Sequence, residues 1–146
     1  MIIKNPSYAQ TKCISAIQAF EILNQNPSAT LIDVRTNMEF LFIGHPVGAI
    51  HVPFMEEPDW DINPDFVNQV KNSICRKNNR VDLRNELIIL ICRSGNRSAQ
   101  AAQLLQSAGL NNVYHIPDGF EGELNDNHHR SRIEGWRFFD LPWEQC

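Results

Sequence analysis

No stretch of this sequence approaches the roughly 18 apolar residues that a membrane-spanning helix needs. The most apolar run, Leu87 to Ile91, is five residues long. Nor is there an excess of basic charge. Thirteen Lys plus Arg against seventeen Asp plus Glu leave a net charge of −4 and a pI of about 5.7, so no global field invites nucleic acid or an anionic membrane, and any anion site has to be local. The four cysteines, Cys13, Cys75, Cys92 and Cys146, are spaced too widely for a Cys-x-x-Cys redox or zinc motif. Met1 to Gln10 lacks the apolar core of a secretory signal, and a cytoplasmic protein with reduced thiols is expected. His128-His129 is the one suggestive metal pair. Adjacent side chains project differently and no Cys or Asp is spaced to complete a site, so neither a metal nor another cofactor is expected.

What is present is the composition of a folded domain: 146 residues, 42% hydrophobic and 21% charged, enough for one core and one domain. Elements follow from periodicity and punctuation. Ser15 caps a helix whose apolar face is Ala16, Ile17, Ala19, Phe20, Ile22 and Leu23. Thr30 to Val34 reads as a buried strand, and Asn37 as the cap of a short helix carrying Phe40, Leu41 and Phe42. Gly44 to Gly48 is a turn before a brief strand, Ala49 to Val52. Glu56 to Asp61 is an acidic surface loop, after which Asn63 and Pro64 open a helix bearing Phe66, Val67, Val70 and Ile74. Leu87 to Ile91 is the central strand, covered on both faces. A further helix begins at Ser98 and stops at Gly109, and Asn112 to Ile116 is another strand. Strands alternating with helices imply an α/β fold with a largely parallel sheet. The core spans about residues 14–122. The remainder, 123–146, is expected as an irregular tail docked on the same domain by Trp136, Phe138, Phe139 and Trp143, holding His128, His129, Arg130 and Arg132 at the rim of the site or simply wrapping the fold.

The chemistry concentrates in Cys92-Arg93-Ser94-Gly95-Asn96-Arg97-Ser98. This loop leaves the most buried strand at its carboxyl end, where open α/β sheets hold ligands. A short loop entering a helix turns main-chain N–H groups inward, Gly95 permits positive φ, and the helix terminus and two arginines add positive potential. Together they favour the thiolate of Cys92, the nucleophilic form; the other three cysteines lack such surroundings. Asp33 and Arg35 reach the same sheet edge, where Asp33 either orients an arginine of the loop or forms an ordinary ion pair at the strand end. His45 and His51 sit in turn chemistry and are read as packing or hydrogen-bonding groups.

At this loop the sequence resembles the rhodanese family of sulfurtransferases. Leu31-Ile32-Asp33-Val34-Arg35, Glu39-Phe40 and Gly44 to Pro53 are similar to its amino-terminal signature; Gly119-Phe120-Glu121-Gly122 stands at its later Gly-rich turn, with Asp118 in place of a Gly; and Cys92 to Arg97 matches its six-residue active-site loop. The resemblance implies a single rhodanese domain with a five-stranded, mostly parallel sheet between helices. It also implies a Cys92 persulfide formed from a small anionic sulfur donor such as thiosulfate. Arg93, Ser94, Gly95, Asn96, Arg97 and Ser98 would bind the donor, and a thiol or cyanide would accept the sulfur. An acceptor protein served by a persulfide relay is the alternative. A phosphatase or arsenate reductase is a third reading, but those loops have one more residue between Cys and Arg, and Ile91 stands where tyrosine phosphatases have His.

Overall fold

A computed structural model describes residues 11–146; the amino-terminal stretch read above for a targeting signal lies outside them. Among the described residues no helix is long and apolar enough to cross a membrane. The chain runs β1 (Lys12–Cys13), α1 (Ala16–Gln25), β2 (Thr30–Asp33), a π-helical turn (Glu39–Ile43), β3 (His45–Pro46), β4 (Ile50–His51), β5 (Met55–Glu56), β6 (Asp61–Ile62), α2 (Phe66–Asn78), β7 (Ile88–Ile91), α3 (Asn96–Ser107), β8 (Val113–His115) and β9 (Trp143–Glu144).

Five strands form one sheet in the order β1-β8-β7-β2-β4, and every neighbouring pair in it is parallel. The α/β arrangement with a five-stranded parallel sheet expected from the sequence is therefore the one observed. Strand alternation divides the core in two. Ile32, Ile88 and Leu90 face α2 and α3 through Phe66, Val70, Ile74, Ala101, Ala102 and Leu105. Leu31, Ile89 and Ile91 face the other way, onto Ala16 and Ala19 of α1 and onto Phe120 and Trp136. The sheet is covered on both faces, which is why β7 is apolar throughout.

Element ends differ from the sequence reading where side chains supply caps. Ser15 caps α1 as expected: its Oγ accepts from Gln18 N at 3.1 Å, and Gln18 Oε1 accepts from Ser15 N at 3.0 Å. The helical turn after β2 is capped by Thr36 rather than Asn37, because Glu39 N donates to Thr36 Oγ1 and Thr36 N donates back to Glu39 Oε1, both at 3.2 Å. Asn63 folds a turn instead of capping α2, accepting from Asp65 N on Oδ1 at 3.0 Å, so that helix starts at Phe66. The acidic loop is a small hairpin, with Met55 opposite Ile62 and Glu56 opposite Asp61. α3 begins at Asn96, two residues before Ser98, which puts Arg97 and Ser98 in its first turn.

The tail docks, but with half of its aromatics. Trp136 is 1% exposed and meets Phe20 edge-on at 6.0 Å; Trp143 meets Phe120 edge-on at 6.1 Å, and β9 pairs with β3 antiparallel. Phe138 and Phe139 remain exposed and pack on each other, so aromatic content alone overstated the burial. Arg137 of the tail donates to Ile43 O at 3.2 Å and lies over the Phe120 ring at 5.7 Å. Arg130 is spent on Gly122 O at 2.7 Å.

Beneath the carboxyl edge of the sheet lies a fully buried ion pair. Arg35 Nη2 and Nε donate to Asp33 Oδ2 and Oδ1 at 2.7 and 2.9 Å; Nη2 also donates to Gly44 O, and the guanidinium lies over the Phe120 ring at 4.5 Å. Removing one partner strands a buried charge, whereas removing both does not. Arg35→Met is expected to cost about 3–5 kcal/mol of stability in urea denaturation, and Asp33→Leu combined with Arg35→Met is expected to recover most of that loss.

Candidate active site

Parallel pairing brings the ends of β2, β7 and β8 to one edge, and Cys92 follows β7 there. The loop is held by main-chain bonds to the turn after β8: Phe120 N donates to Cys92 O at 2.8 Å, and Glu121 N and Gly122 N both donate to Arg93 O at 3.1 Å. Two glycines make that approach possible. A Cβ on Gly95, at φ +103°, would stand 2.5 Å from Pro117 O; one on Gly119, at φ +67°, would meet Arg93 O within 2.3 Å. Asp118, the departure from the Gly-Gly pattern, accepts from Ala16 N at 3.3 Å and so supports the start of α1.

Cys92 is 1% exposed. Gly95 N and Ser98 N donate to its Sγ at 3.1 and 3.3 Å, and Ser98 Oγ lies 3.3 Å away. Inward N–H groups at a helix start are the arrangement that accommodates negative charge. Ser94 is half-buried, whereas Arg93 and Asn96 are exposed. Next to the loop opens a cleft of about 460 Å³ lined by Glu39, Ile43, Glu57, Trp60, Arg93, Arg97 and Glu121. None of His128, His129, Arg130 or Arg132 lines it, so the expectation that the tail holds them at this rim gives way to the wrap. Among the described residues no group of three or more His, Cys, Asp or Glu is placed to hold a metal ion.

The loop arginine is oriented by Glu39, not by Asp33, which is taken up by Arg35 two residues on. Arg97 Nη1 and Nη2 donate to Glu39 Oε1 and Oε2 at 2.6 and 2.9 Å, and the guanidinium lies 5.9 Å from the Trp60 ring centre. Burial opposes charge on Glu39, but the hydrogen bonds and charge of Arg97 outweigh it and hold the carboxyl at about 2. Glu39 carries a legible signal: it stands at the last position of Thr36-x-x-Glu39, a capping-box spacing one turn beyond the strand end. His45 and His51 accept structural duties. His45 stacks on Phe40 at 3.7 Å and its Nδ1 lies 2.7 Å from Phe40 O; His51 Nε2 lies 2.7 Å from Arg35 O.

A further group, unused in the sequence reading, is His115. Its Nδ1 lies 3.0 Å from Ser98 Oγ and its Nε2 3.4 Å from Cys13 Sγ. Burial lowers the imidazole to about 4. Its signal is a polar residue at an inward position of a strand, two places after the buried Val113.

Among known proteins, the family model described as Rhodanese-like domain matches residues 16–125. "Uncharacterized protein RC0915" of Rickettsia conorii is 34% identical over 133 residues, 90% of this chain and 95% of that protein. "Thiosulfate sulfurtransferase GlpE" of Actinobacillus pleuropneumoniae is 29% identical over 115 residues, 75% of this chain and 82% of that protein. The crystal structure of Rv0390 from M. tuberculosis superposes with a TM-score of 0.77 at 34% identity, covering 93% of this chain and 98% of that one.

Two outcomes follow from this geometry. Gly119→Ala is expected to cost about 2 kcal/mol or more, since it adds both an unfavourable φ and a main-chain clash, as measured by thermal or urea unfolding. The second concerns pH. The folded protein keeps His115 neutral down to about 4, while the unfolded chain takes up that proton near 6.5. The unfolded state then binds more protons, and stability falls as pH drops from about 6.5 to 4, by up to about 3 kcal/mol. Glu39, ionised in the fold down to about 2, extends the loss below about 4.5. Urea midpoints across this range are expected to lose the upper limb, and only that limb, in His115→Asn.

Proposed function

The chain belongs to the rhodanese-like domain family, and from that membership and the geometry around Cys92 we propose that it is a sulfurtransferase working through a persulfide on Cys92. The observation that carries this reading is the pair of main-chain N–H groups, from Gly95 and Ser98, aimed at the sulfur. They favour a charged nucleophile and can stabilise a charged terminal sulfur once it is loaded. The thiolate attacks the outer sulfur of a donor such as thiosulfate. A sulfur–sulfur bond forms to Cys92 as the bond to sulfite breaks, and sulfite leaves with that electron pair. A thiol or cyanide then attacks the terminal sulfur and returns Cys92 as thiolate.

The arginines divide the work. Arg93 is exposed in the cleft and suits the sulfonate oxygens of the donor. Arg97, held by Glu39, shapes the loop and adds a positive field at Cys92. Ser94, Gly95, Asn96 and Ser98 complete the donor site through loop shape and main-chain groups. Asp33 and Arg35 support it from below. The same engagement of Arg97 weighs against phosphate-ester chemistry, in which that arginine has to face the substrate. Four free thiols accord with a reducing compartment such as the cytoplasm. Exposed Trp60 and Glu57 on the cleft favour a second reading for the acceptor, a partner protein that docks on this rim and takes the sulfur directly.

Intact mass after thiosulfate treatment tests the reading. One added sulfur is expected, absent in Cys92→Ser; an adduct that persists in Cys92→Ser removes the assignment. Arg93→Ala is expected to raise the thiosulfate KM about tenfold while sulfur release from loaded protein to a thiol stays within about twofold. Arg97→Ala is expected to impair every donor. Prompt loading with no release to small thiols or cyanide selects the partner-protein acceptor.

A further inference from the structure

Behind Cys92 a chain of hydrogen-bonding groups runs along one face of the sheet to the exposed thiol of the edge strand β1. Ser98 Oγ lies 3.3 Å from Cys92 Sγ and 3.0 Å from His115 Nδ1, and His115 Nε2 lies 3.4 Å from Sγ of the exposed Cys13. Ser98 is fully buried and His115 is 6% exposed. We propose that His115 is a positioning residue that directs the hydroxyl proton of Ser98 onto the sulfur of Cys92 and so gives the nucleophile a third hydrogen-bond donor. The inference rests on the reading of Cys92 as the nucleophile.

The argument is an accounting of protons. Ser98 has one hydroxyl proton and three acceptors around it: Cys92 Sγ, His115 Nδ1, and Gly95 O at 3.2 Å. An unprotonated Nδ1 competes with Cys92 for that proton. A protonated Nδ1 instead donates to Oγ and leaves the hydroxyl proton for the sulfur, with Gly95 O still served by Ala99 N at 3.2 Å. The tautomer is selected at the far end. Cys13 Sγ has two acceptors in reach, Thr11 O at 3.7 Å and His115 Nε2 at 3.4 Å, and donating to the nearer one requires the lone pair there and the ring proton on Nδ1. With Cys92 charged, every proton then has one acceptor: Cys13 S–H to Nε2, Nδ1–H to Oγ, and Oγ–H to Sγ. The ring has to be neutral for this, and burial keeps it so at neutral pH.

Among the described residues burial alone shifts the imidazole, while Asp118, Glu123 and Glu134 share a surface cavity with Cys13. Lys12, beside Cys13 on β1, lies over the Tyr114 ring. From β7 the residue in register with His115 is the apolar Leu90. From α3 the contact is Ser98, and Arg97 next to it acts on Cys92 and is paired with Glu39. Asp118, after β8, is bonded to Ala16 N.

The test is the rate of Cys92 alkylation by iodoacetamide, resolved from the other three thiols by peptide mass spectrometry, at about pH 6.5 and about pH 9.5. His115→Phe is expected to slow Cys92 about tenfold at the lower pH, the worth of one hydrogen bond to a charged group, and to converge on the parent at the higher pH. His115→Asn, whose amide N–H₂ can stand in for Nδ1–H, is expected to restore more than half of the rate. Ser98→Ala is expected to match His115→Phe, and the double variant to lose no more than either alone. Fast parent alkylation that is unchanged in His115→Phe, or an Asn variant as slow as Phe with the same unfolding midpoint, overturns the role of His115 and leaves the sulfur-transfer reading standing. Slow Cys92 alkylation in the parent at about pH 6.5 overturns both.

Discussion

The site depends on one close approach between two pieces of backbone. The loop that leaves β7 and the turn that leaves β8 touch main chain to main chain, with Cys92 O and Arg93 O accepting three N–H groups from Phe120, Glu121 and Gly122. Neither Gly95 nor Gly119 has room for a Cβ. This contact fixes where the loop stands relative to α3, and hence where the Gly95 and Ser98 N–H groups point. A polar cradle works only when its dipoles are held before charge appears, because reorganising them afterwards costs what they supply. The same turn carries Phe120, whose ring lies beside Arg35 and faces Arg137 and Trp143. The tail therefore helps hold the turn, and through it the loop.

Charge at the site is arranged by pairing. Asp33 with Arg35, and Glu39 with Arg97, are cation–carboxylate pairs at adjacent strand and loop ends, and each is buried enough that its value lies in geometry as much as in energy. Arg35 ties the end of β2 to the Gly44 turn; Arg97 ties α3 to the turn at Glu39. Positive potential reaches Cys92 from a side chain that is itself held, which leaves exposed Arg93 to meet an anion. Such a division separates the shape of the loop from recognition of the donor.

His115 connects the site to the edge strand β1. Parallel register sets Cys13 opposite His115 and His115 opposite Leu90, so a ring on β8 spans from the exposed thiol on the edge strand to the hydroxyl on α3. A short edge strand of two residues is enough to bring Cys13 there. Only its position, not its length, matters for the tautomer of the ring.

Much of the fold was legible in the chain itself. Leu87 to Ile91 read as a central strand covered on both faces, and Ile88–Ile91 is one; Ser15 marked a helix start, and a Cys-Arg-Ser-Gly-Asn-Arg loop between a buried strand and a helix marked an anion-accommodating site. These are local facts of periodicity and turn chemistry, and the parallel order of strands followed from the alternation of elements. Pairings between distant residues were not legible, because a side chain's partner is chosen by register and by what else competes for it. Asp33 met its near neighbour Arg35 before any loop arginine. Arg97 found Glu39, 58 positions away, since a Thr36 cap held that carboxylate in place. Phe138 and Phe139 stayed in water, packed on each other, while Trp136 went under beside Phe20. Cys13 and His115 said nothing separately; tertiary structure joined them to Cys92, since only the sheet brings residues 102 apart within hydrogen-bonding distance.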